Sequence, residues 1–148
     1  MTPTGLVIRR AEAHEIPACA ALYERVLRAT FTWTDPRSHR ASDFAAAARQ
    51  EEVYAAFEDG RLVGIAAFHR RAGFLHSLYV EPRGRGVGKA LLDHVCAAAG
   101  GPVALKVQEL NLRARAFYRR EGFRLEERGC DPPPGVAWLR LRRDMAAS

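Results

Sequence analysis

The sequence has few cysteines, no long apolar run and no leader-like start, and each of these features excludes a class of protein. Its three cysteines, Cys19, Cys96 and Cys130, are an odd number without CxxC spacing. Neither a disulfide framework nor a zinc site is indicated, and we expect no metal. The apolar runs are far shorter than the roughly 20 residues of a membrane-spanning helix. The segment Met1–Gly5 lacks the basic and apolar regions of a signal peptide, so we expect a cytoplasmic protein with no membrane partner.

The overall composition predicts one ordinary globular domain that spans residues 1–148. The chain is 48% hydrophobic and 27% charged, which is typical of folded domains of this length. Its net charge of +6 suits an anionic partner, and nucleic acid, an acidic protein and a phosphorylated coenzyme all fit that charge. Only Lys89 and Lys106 are lysines, so part of the excess could reflect a bias toward arginine. Because no nucleic-acid recognition motif is present, we expect no nucleic-acid partner.

Apolar periodicity and turn residues predict seven strands and four helices in the order βααβββαβαββ. Asp59-Gly60 between two apolar strands is typical of a hairpin, and Ser42 is predicted to be the N-cap of the second helix. The predicted strands are Leu6–Arg10, Val53–Phe57, Leu62–Phe68, Phe74–Val80, Val103–Val107, Phe123–Arg128 and Val136–Arg142. The predicted helices are His14–Arg28, Asp43–Gln50, Val87–Ala99 and Leu112–Arg120.

The segment Arg83–Gly88, between a predicted strand and a predicted helix, has the composition of an anion-binding turn. Glycine permits positive φ and close approach of the backbone, and a helix N-terminus offers unpaired N–H groups to a phosphate. The dinucleotide fingerprint G-x-G-x-x-G fails, because Lys89 or Leu91 stands at the third glycine. The nucleotide P-loop fails as well, because Arg83 replaces its first glycine and Ala90 its hydroxyl residue. Alone, the segment fits an anion site and a ligand-free corner equally well.

A second segment downstream, Leu105–Phe123, helps to interpret the glycine turn. It resembles the second signature of the GCN5-related N-acetyltransferase (GNAT) superfamily, a strand followed by Asn, Ala-x-x-Phe-Tyr and Gly-Phe. The matching residues are Asn111, Ala114, Phe117, Tyr118, Gly122 and Phe123. The first signature of that family, [RQ]-x-x-G-x-[GA], is matched by Arg83, Gly86 and Gly88. The resemblance is close from Phe74 to Phe123, with one departure: Pro82 adjoins Arg83, where family members often have about two intervening residues.

The resemblance implies an α/β fold with a mixed sheet that is splayed between its fourth and fifth strands, and acetyl-CoA as co-substrate. Backbone amides of the glycine turn would bind the pyrophosphate, and backbone groups of Leu78 and Val80 would pair with pantetheine. Asn111 would contact the pantetheine arm, cap the following helix, or do both. Arg113 and its helix neighbours Arg115, Arg119 and Arg120 would reach the 3′-phosphate or form a solvated face. The full set implied for the coenzyme is Leu78, Tyr79, Val80, Arg83, Gly84, Arg85, Gly86, Val87, Gly88, Lys89, Asn111, Arg113, Phe117 and Tyr118.

The chemistry implied is transfer of an acetyl group to a primary amine of a small molecule, peptide or protein. Tyr118 is the candidate for the acid that assists the departing thiolate, since a thiol has a pKa of about 8.5 and a phenol of about 10. A packing role against Phe117 is the alternative. The ammonium of the acceptor must also lose a proton, and the candidates for its acceptor are His76, Glu109 and water relayed to solvent.

The sequence says least about the acceptor substrate. Phe31 and Trp33 follow the first helix, where this fold usually walls the acceptor pocket, so they are candidates for substrate contact. Dimers are common among family members, which adds a homodimer to the expectations. A competing hypothesis is a non-catalytic module that binds acetyl-CoA on the same fold. Tyr118 and the complete glycine turn favour the enzyme, because a sensor has no need of an acid for the leaving group.

Overall fold

The structure is a computed structural model that describes residues 5–30, 40–133 and 135–144 of the 148. The described residues form seven strands and four α-helices, and the predicted order βααβββαβαββ is confirmed. Short 3₁₀ turns precede the first helix and follow the second. The elements are β1 (Leu6–Arg10), α1 (Ile16–Thr30), α2 (Ala41–Ala47), β2 (Glu52–Glu58), β3 (Arg61–His69), β4 (Phe74–Val80), α3 (Val87–Ala99), β5 (Val103–Gln108), α4 (Leu112–Arg120), β6 (Arg124–Cys130) and β7 (Ala137–Arg143).

The start of α2 differs from the prediction. Ser42 is not the N-cap but lies inside the helix, and Arg40 is the N-cap, without a side-chain capping bond. The N–H of Ala41 has no acceptor within the helix and donates instead to Oε2 of Glu24 on α1, at 2.6 Å. The first N–H groups of any helix need an external acceptor. Here a neighbouring helix supplies it, so a local cap is not required.

The strands form one mixed sheet in the order β1-β2-β3-β4-β5-β7-β6. All neighbours are antiparallel except β4 and β5, which are parallel. One hydrophobic cluster includes the buried face of α3, and a second includes α1 and Phe44 of α2. Because helices cover both faces of the central strands, residues 63–68 of β3 are all buried. In the described part of the chain, no helix has both the length and the hydropathy needed to cross a membrane.

The two parallel strands separate soon after they meet. Pairing between β4 and β5 joins only Phe74 to Ala104 and Leu75 to Leu105. On its other edge β4 stays paired with β3 as far as Val80, opposite Gly64. The predicted splay between the fourth and fifth strands is therefore confirmed, and it opens the sheet at its centre.

Candidate active site

A cleft of about 740 Å³ lies where β4 and β5 part. Its walls come from these two strands, the turn before α3, helix α4 and the end of α1. Of the coenzyme set predicted from the sequence, Arg85 and Val87 do not line the cleft. The members that do are Leu78, Tyr79, Val80, Arg83, Gly84, Gly86, Gly88, Lys89, Asn111, Arg113, Phe117 and Tyr118. Residues from three separate segments thus face one cavity.

The edge of β4 offers unpaired backbone groups to the cleft. The N–H of Glu81 donates to Val63 of β3 at 2.9 Å, and successive residues of a strand direct their N–H and C=O groups to opposite sides. The backbone groups of Leu78 and Val80 therefore point away from β3 and toward the opening. Since β5 pairs with β4 only up to Leu75, these groups are available to an extended ligand that carries amides.

The turn at the end of β4 has the backbone geometry of an anion site. Gly84 has φ of +82° and Gly86 has φ of +78°, in a region that non-glycine residues rarely adopt. Gly86 is the N-cap of α3, and the next residue, Val87, is buried and anchors the helix to the core. The first amides of this 13-residue helix have no acceptor within the helix and lie at the positive end of its dipole. The cleft therefore ends at a group of N–H donors.

The basic side chains at this end of the cleft differ in their partners. Arg85 is paired with Glu58 of β2, Nη2 to Oε1 at 2.7 Å. The Nζ of Lys89 lies 2.8 Å from Oε1 of Glu121, and this hydrogen bond holds the pKa of Lys89 above its usual range. Arg83 and Arg113 line the cleft and have no ion-pair partner among the described residues. Arg120 of α4 also lines the cleft and has no recorded ion pair among the described residues, so Arg83, Arg113 and Arg120 are cations left for a phosphorylated ligand.

Helix α4 carries the polar side chains of the opposite wall. Asn111 is the N-cap of α4, and its Oδ1 accepts from the N–H of Ala114 at 3.2 Å. The capping role raised in the sequence analysis is thus present, and the amide nitrogen of Asn111 is left for the cleft that the residue lines. Arg120 also lines the cleft. Arg115 instead donates from Nη1 to the backbone oxygen of Glu109 at 2.8 Å.

Tyr118 presents a neutral hydroxyl on this wall. Its ring packs edge-on against Phe117 at 5.2 Å and against Phe123 at 5.4 Å, measured between centroids. Burial raises the pKa of Tyr118 above its ordinary value, so the phenol stays protonated at neutral pH. Among the described residues its hydroxyl has no hydrogen-bond partner. The side chain packs against these two rings and also lines the cleft.

His76 lies at the point where the two strands diverge. Phe68 of β3 is opposite Leu75 and Ala67 is opposite Ser77, so His76 is an extra residue, a β-bulge in β4. Bulges redirect side chains and often lie beside active sites. Leu75 belongs to the cluster on the α3 side, whereas Tyr79, four residues on, packs against the α1 cluster. The bulge therefore exchanges the two faces of the strand within the cleft.

Glu51 is the partner of His76, and the sequence did not predict it. The Nδ1 of His76 lies 2.9 Å from Oε1 of Glu51, whose side chain is only 5% exposed. Nothing in the local pattern Gln50-Glu51-Glu52 separates Glu51 from a surface acid. Glu109, the other predicted base, does not line the cleft, and its carboxylate lies 3.8 Å from Arg128.

The acceptor side of the cleft is described in part. Phe31 and Trp33 lie outside the described residues. The end of α1 contributes Val26, Leu27 and Thr30 to the lining, which the sequence analysis did not predict. Next to them an aromatic group holds α1 on β4, with Tyr23 5.8 Å from Tyr79 between ring centroids.

Comparison with known proteins assigns the family. The chain matches the acetyltransferase (GNAT) family model over residues 19–123. It is 35% identical over 99 residues to blasticidin-S acetyltransferase of Streptomyces morookaense, covering 60% of this chain and 73% of that protein. It is 36% identical over 56 residues to the peptidyl-lysine N-acetyltransferase YjaB of Salmonella typhimurium, covering 36% and 38%.

Solved structures share the fold at low sequence identity. The PaiA N-acetyltransferase of Thermoplasma acidophilum in complex with coenzyme A has a TM-score of 0.78 at 16% identity, covering 97% of this chain and 99% of that one. YncA of Salmonella typhimurium with its cofactor acetyl-CoA has a TM-score of 0.72 at 17% identity, covering 98% and 96%. The family match contains both the glycine turn and the Asn111–Phe123 segment, and the whole architecture agrees with it, so this chain belongs to the GNAT family of acetyltransferases.

Proposed function

We propose that this chain transfers the acetyl group of acetyl-CoA to a primary amine of a small molecule, peptide or protein. The observation that carries the proposal is the cleft between β4 and β5, which has the glycine turn at one end and the Tyr118 hydroxyl in its wall. An anion site, an unpaired strand edge and a neutral acid in one cavity match the three parts of an acyl-thioester: phosphate, amide arm and reacting sulfur.

Acetyl-CoA supplies the activated acyl group as a thioester, and this chain has residues to hold it. The amides that follow Gly86 and the guanidiniums of Arg83 and Arg113 suit its phosphates. The free backbone groups of Leu78 and Val80 on one wall, and the amide of Asn111 on the other, suit its pantetheine amides. These contacts hold the coenzyme along the cleft and exclude water from one side of it.

Tyr118 has the properties required of the acid that assists the departing sulfur. Its raised pKa keeps the phenol protonated, and its ring is fixed by Phe117 and Phe123. Its hydroxyl makes no competing hydrogen bond within the described residues. We assign it the transfer of a proton to the thiolate as the carbon–sulfur bond breaks, a contribution typically worth about 10²–10⁴-fold in rate.

The names of two relatives and the lining at the end of α1 support an amine as the acceptor. One relative is named for blasticidin S and another for peptidyl-lysine. The side chains of Val26, Leu27 and Thr30 would form an apolar approach for an amine on a short carbon chain.

The test is release of free coenzyme A, measured with a thiol reagent, across a panel of amines that includes blasticidin S and a lysine-containing peptide. Acetylation of at least one amine, confirmed by mass spectrometry, is the expected result. Tight binding of acetyl-CoA without turnover of any amine would favour the non-catalytic coenzyme-binding module instead.

A further inference from the structure

Glu51 is a buried carboxylate whose hydrogen bonding is incomplete. It lies just before β2, its side chain is 5% exposed, and Oε1 contacts Nδ1 of His76 at 2.9 Å. The other oxygen, Oε2, is buried and has no hydrogen-bond partner. Buried polar atoms are nearly always paired, so an orphaned carboxylate oxygen needs an explanation. A role for this carboxylate in positioning the imidazole of His76 is such an explanation.

The pair lies at the inner end of the cleft. His76 directly follows Leu75, the last residue of β4 that pairs with β5. The glycine turn follows Val80, so about 13 Å of strand separates the anion site from His76, at roughly 3.3 Å per residue. A coenzyme anchored by its phosphates at the turn therefore directs its opposite, reacting end toward His76.

Other groups around His76 do not replace Glu51. The ring of His69 on β3 lies 6.1 Å away and that of Phe74 lies 4.8 Å away, between centroids. From β5, Lys106 lines the same cleft, but its Nζ lies 4.0 Å from the Trp138 ring centroid. The guanidinium of Arg140 on β7 covers the Phe74 ring at 5.2 Å. Among the described residues, Glu51 is the acid that contacts the imidazole.

We propose that His76 and Glu51 form the proton-accepting pair for the acceptor amine, with His76 as the base and Glu51 as its positioning residue. This inference rests on the proposed acetyltransferase function. A carboxylate oxygen 2.9 Å from Nδ1 favours the tautomer that carries its proton on Nδ1, which leaves the lone pair on Nε2. It also compensates the positive charge that His76 gains when it takes a proton, as an acid partner does for a catalytic histidine.

The protons of the reaction balance with these residues. An N–H bond of the ammonium breaks and an Nε2–H bond forms on His76, which leaves a neutral amine. The amine lone pair forms the carbon–nitrogen bond to the acyl carbon, and the carbon–sulfur bond breaks. Tyr118 gives its proton to the sulfur and regains one from the new amide nitrogen. His76 then returns its proton to solvent, so the products are an amide, a thiol and one released proton.

The decisive experiment compares wild type, His76→Ala and Glu51→Gln between about pH 7 and pH 10, with acetyl-CoA and the panel amine that wild type acetylates. An alkylammonium has a pKa of about 10.4, so the free-amine fraction rises about tenfold per pH unit in this range. At pH 7 we expect kcat losses of about 10²–10⁴-fold in both variants. The losses should shrink toward pH 10, where roughly a quarter of the amine is already neutral, while the Kd for acetyl-CoA stays unchanged.

Matched controls separate this role from a structural one. Glu52→Gln removes the neighbouring carboxylate, which is hydrogen-bonded to Arg70, and His69→Ala removes the adjacent imidazole; both should keep wild-type kcat. Glu51→Asp keeps the charge, so it should retain more activity than Glu51→Gln. This comparison keeps the proposal testable if Glu51→Gln folds poorly. Losses that are constant with pH, or a Glu51→Gln effect on the KM for the amine alone, would overturn the proposal. A wild type that acetylates no amine would instead refute the proposed function itself.

Discussion

Replacing Tyr118 with Phe is the most direct test of the assignment of the leaving-group acid. The change removes one hydroxyl and keeps the ring that packs on Phe117 and Phe123. Because that hydroxyl has no hydrogen-bond partner among the described residues, its loss orphans no other group. The free energy of unfolding should therefore change by less than about 1 kcal/mol, the net worth of one ordinary hydrogen bond.

The effect on the reaction should be far larger than the effect on stability. Loss of a general acid typically lowers the rate by about 10²–10⁴-fold. At about 1.36 kcal/mol per tenfold, this adds roughly 2.7–5.4 kcal/mol to the barrier. The Kd for acetyl-CoA should stay within about twofold, a difference of about 0.4 kcal/mol, since the coenzyme contacts proposed above come from other groups.

The assay is coenzyme A release with a thiol reagent, together with calorimetric titration of acetyl-CoA. Tyr54→Phe is the matched control, because it removes a hydroxyl that donates to Glu52 at 2.8 Å in the core and away from the cleft. That variant should lose some stability and keep its turnover. Wild-type kcat in Tyr118→Phe would show that the phenol only packs, and the leaving-group assignment would be abandoned.

Three further predictions concern the turn, the last hairpin and acid stability. Gly86→Ala forces alanine to φ of +78° at a cost of about 1–2 kcal/mol. The turn of the free variant can relax away from this φ, and binding must restore it, so calorimetry should show acetyl-CoA binding weakened by about 5–30-fold; an unchanged Kd would mean that the turn is not the anion site. A β-carbon on Gly129 would lie 2.1 Å from Cζ2 of Trp138, so Gly129→Ala should lower the free energy of unfolding by about 1–3 kcal/mol in urea titrations. The hydrogen bond from Arg70 lowers the pKa of Glu52 to about 2, below its ordinary 4.5, so its stabilisation is complete above about pH 4.5 and is lost as the pH falls toward 2. Glu52→Gln should flatten that part of the stability profile, and an identical acid profile in the variant would contradict it.

Much of the fold was predictable because it depends on short-range patterns. Strand and helix order follows from apolar periodicity, and the Asp59-Gly60 hairpin follows from turn chemistry; both are confirmed. The predicted start of α2 was wrong, because the acceptor for its first N–H comes from Glu24 on another helix. Intrinsic capping preference is a weak guide wherever a tertiary contact can supply the missing partner.

The candidate site was also predictable only where it depends on local sequence. The motif residues of the turn and of α4 lie together on the cleft, and the positive φ of Gly86 at the start of α3 is a property that its residue type anticipates. The side-chain partners were not visible in sequence: Arg85 pairs with Glu58 on β2, and Lys89 pairs with Glu121 beyond α4. Ion pairs between distant segments depend on how the sheet brings those segments together.

The sequence by itself determined the order of elements, the glycine turn and the family to which the chain belongs, because each of these depends on residue type at fixed local spacing. Only the tertiary structure decided where β4 and β5 part, that His76 is a bulge, and that the buried carboxylate beside it is Glu51. Register between strands and burial of one acid among several are set by long-range packing. No local pattern encodes the meeting of two residues that lie 25 positions apart.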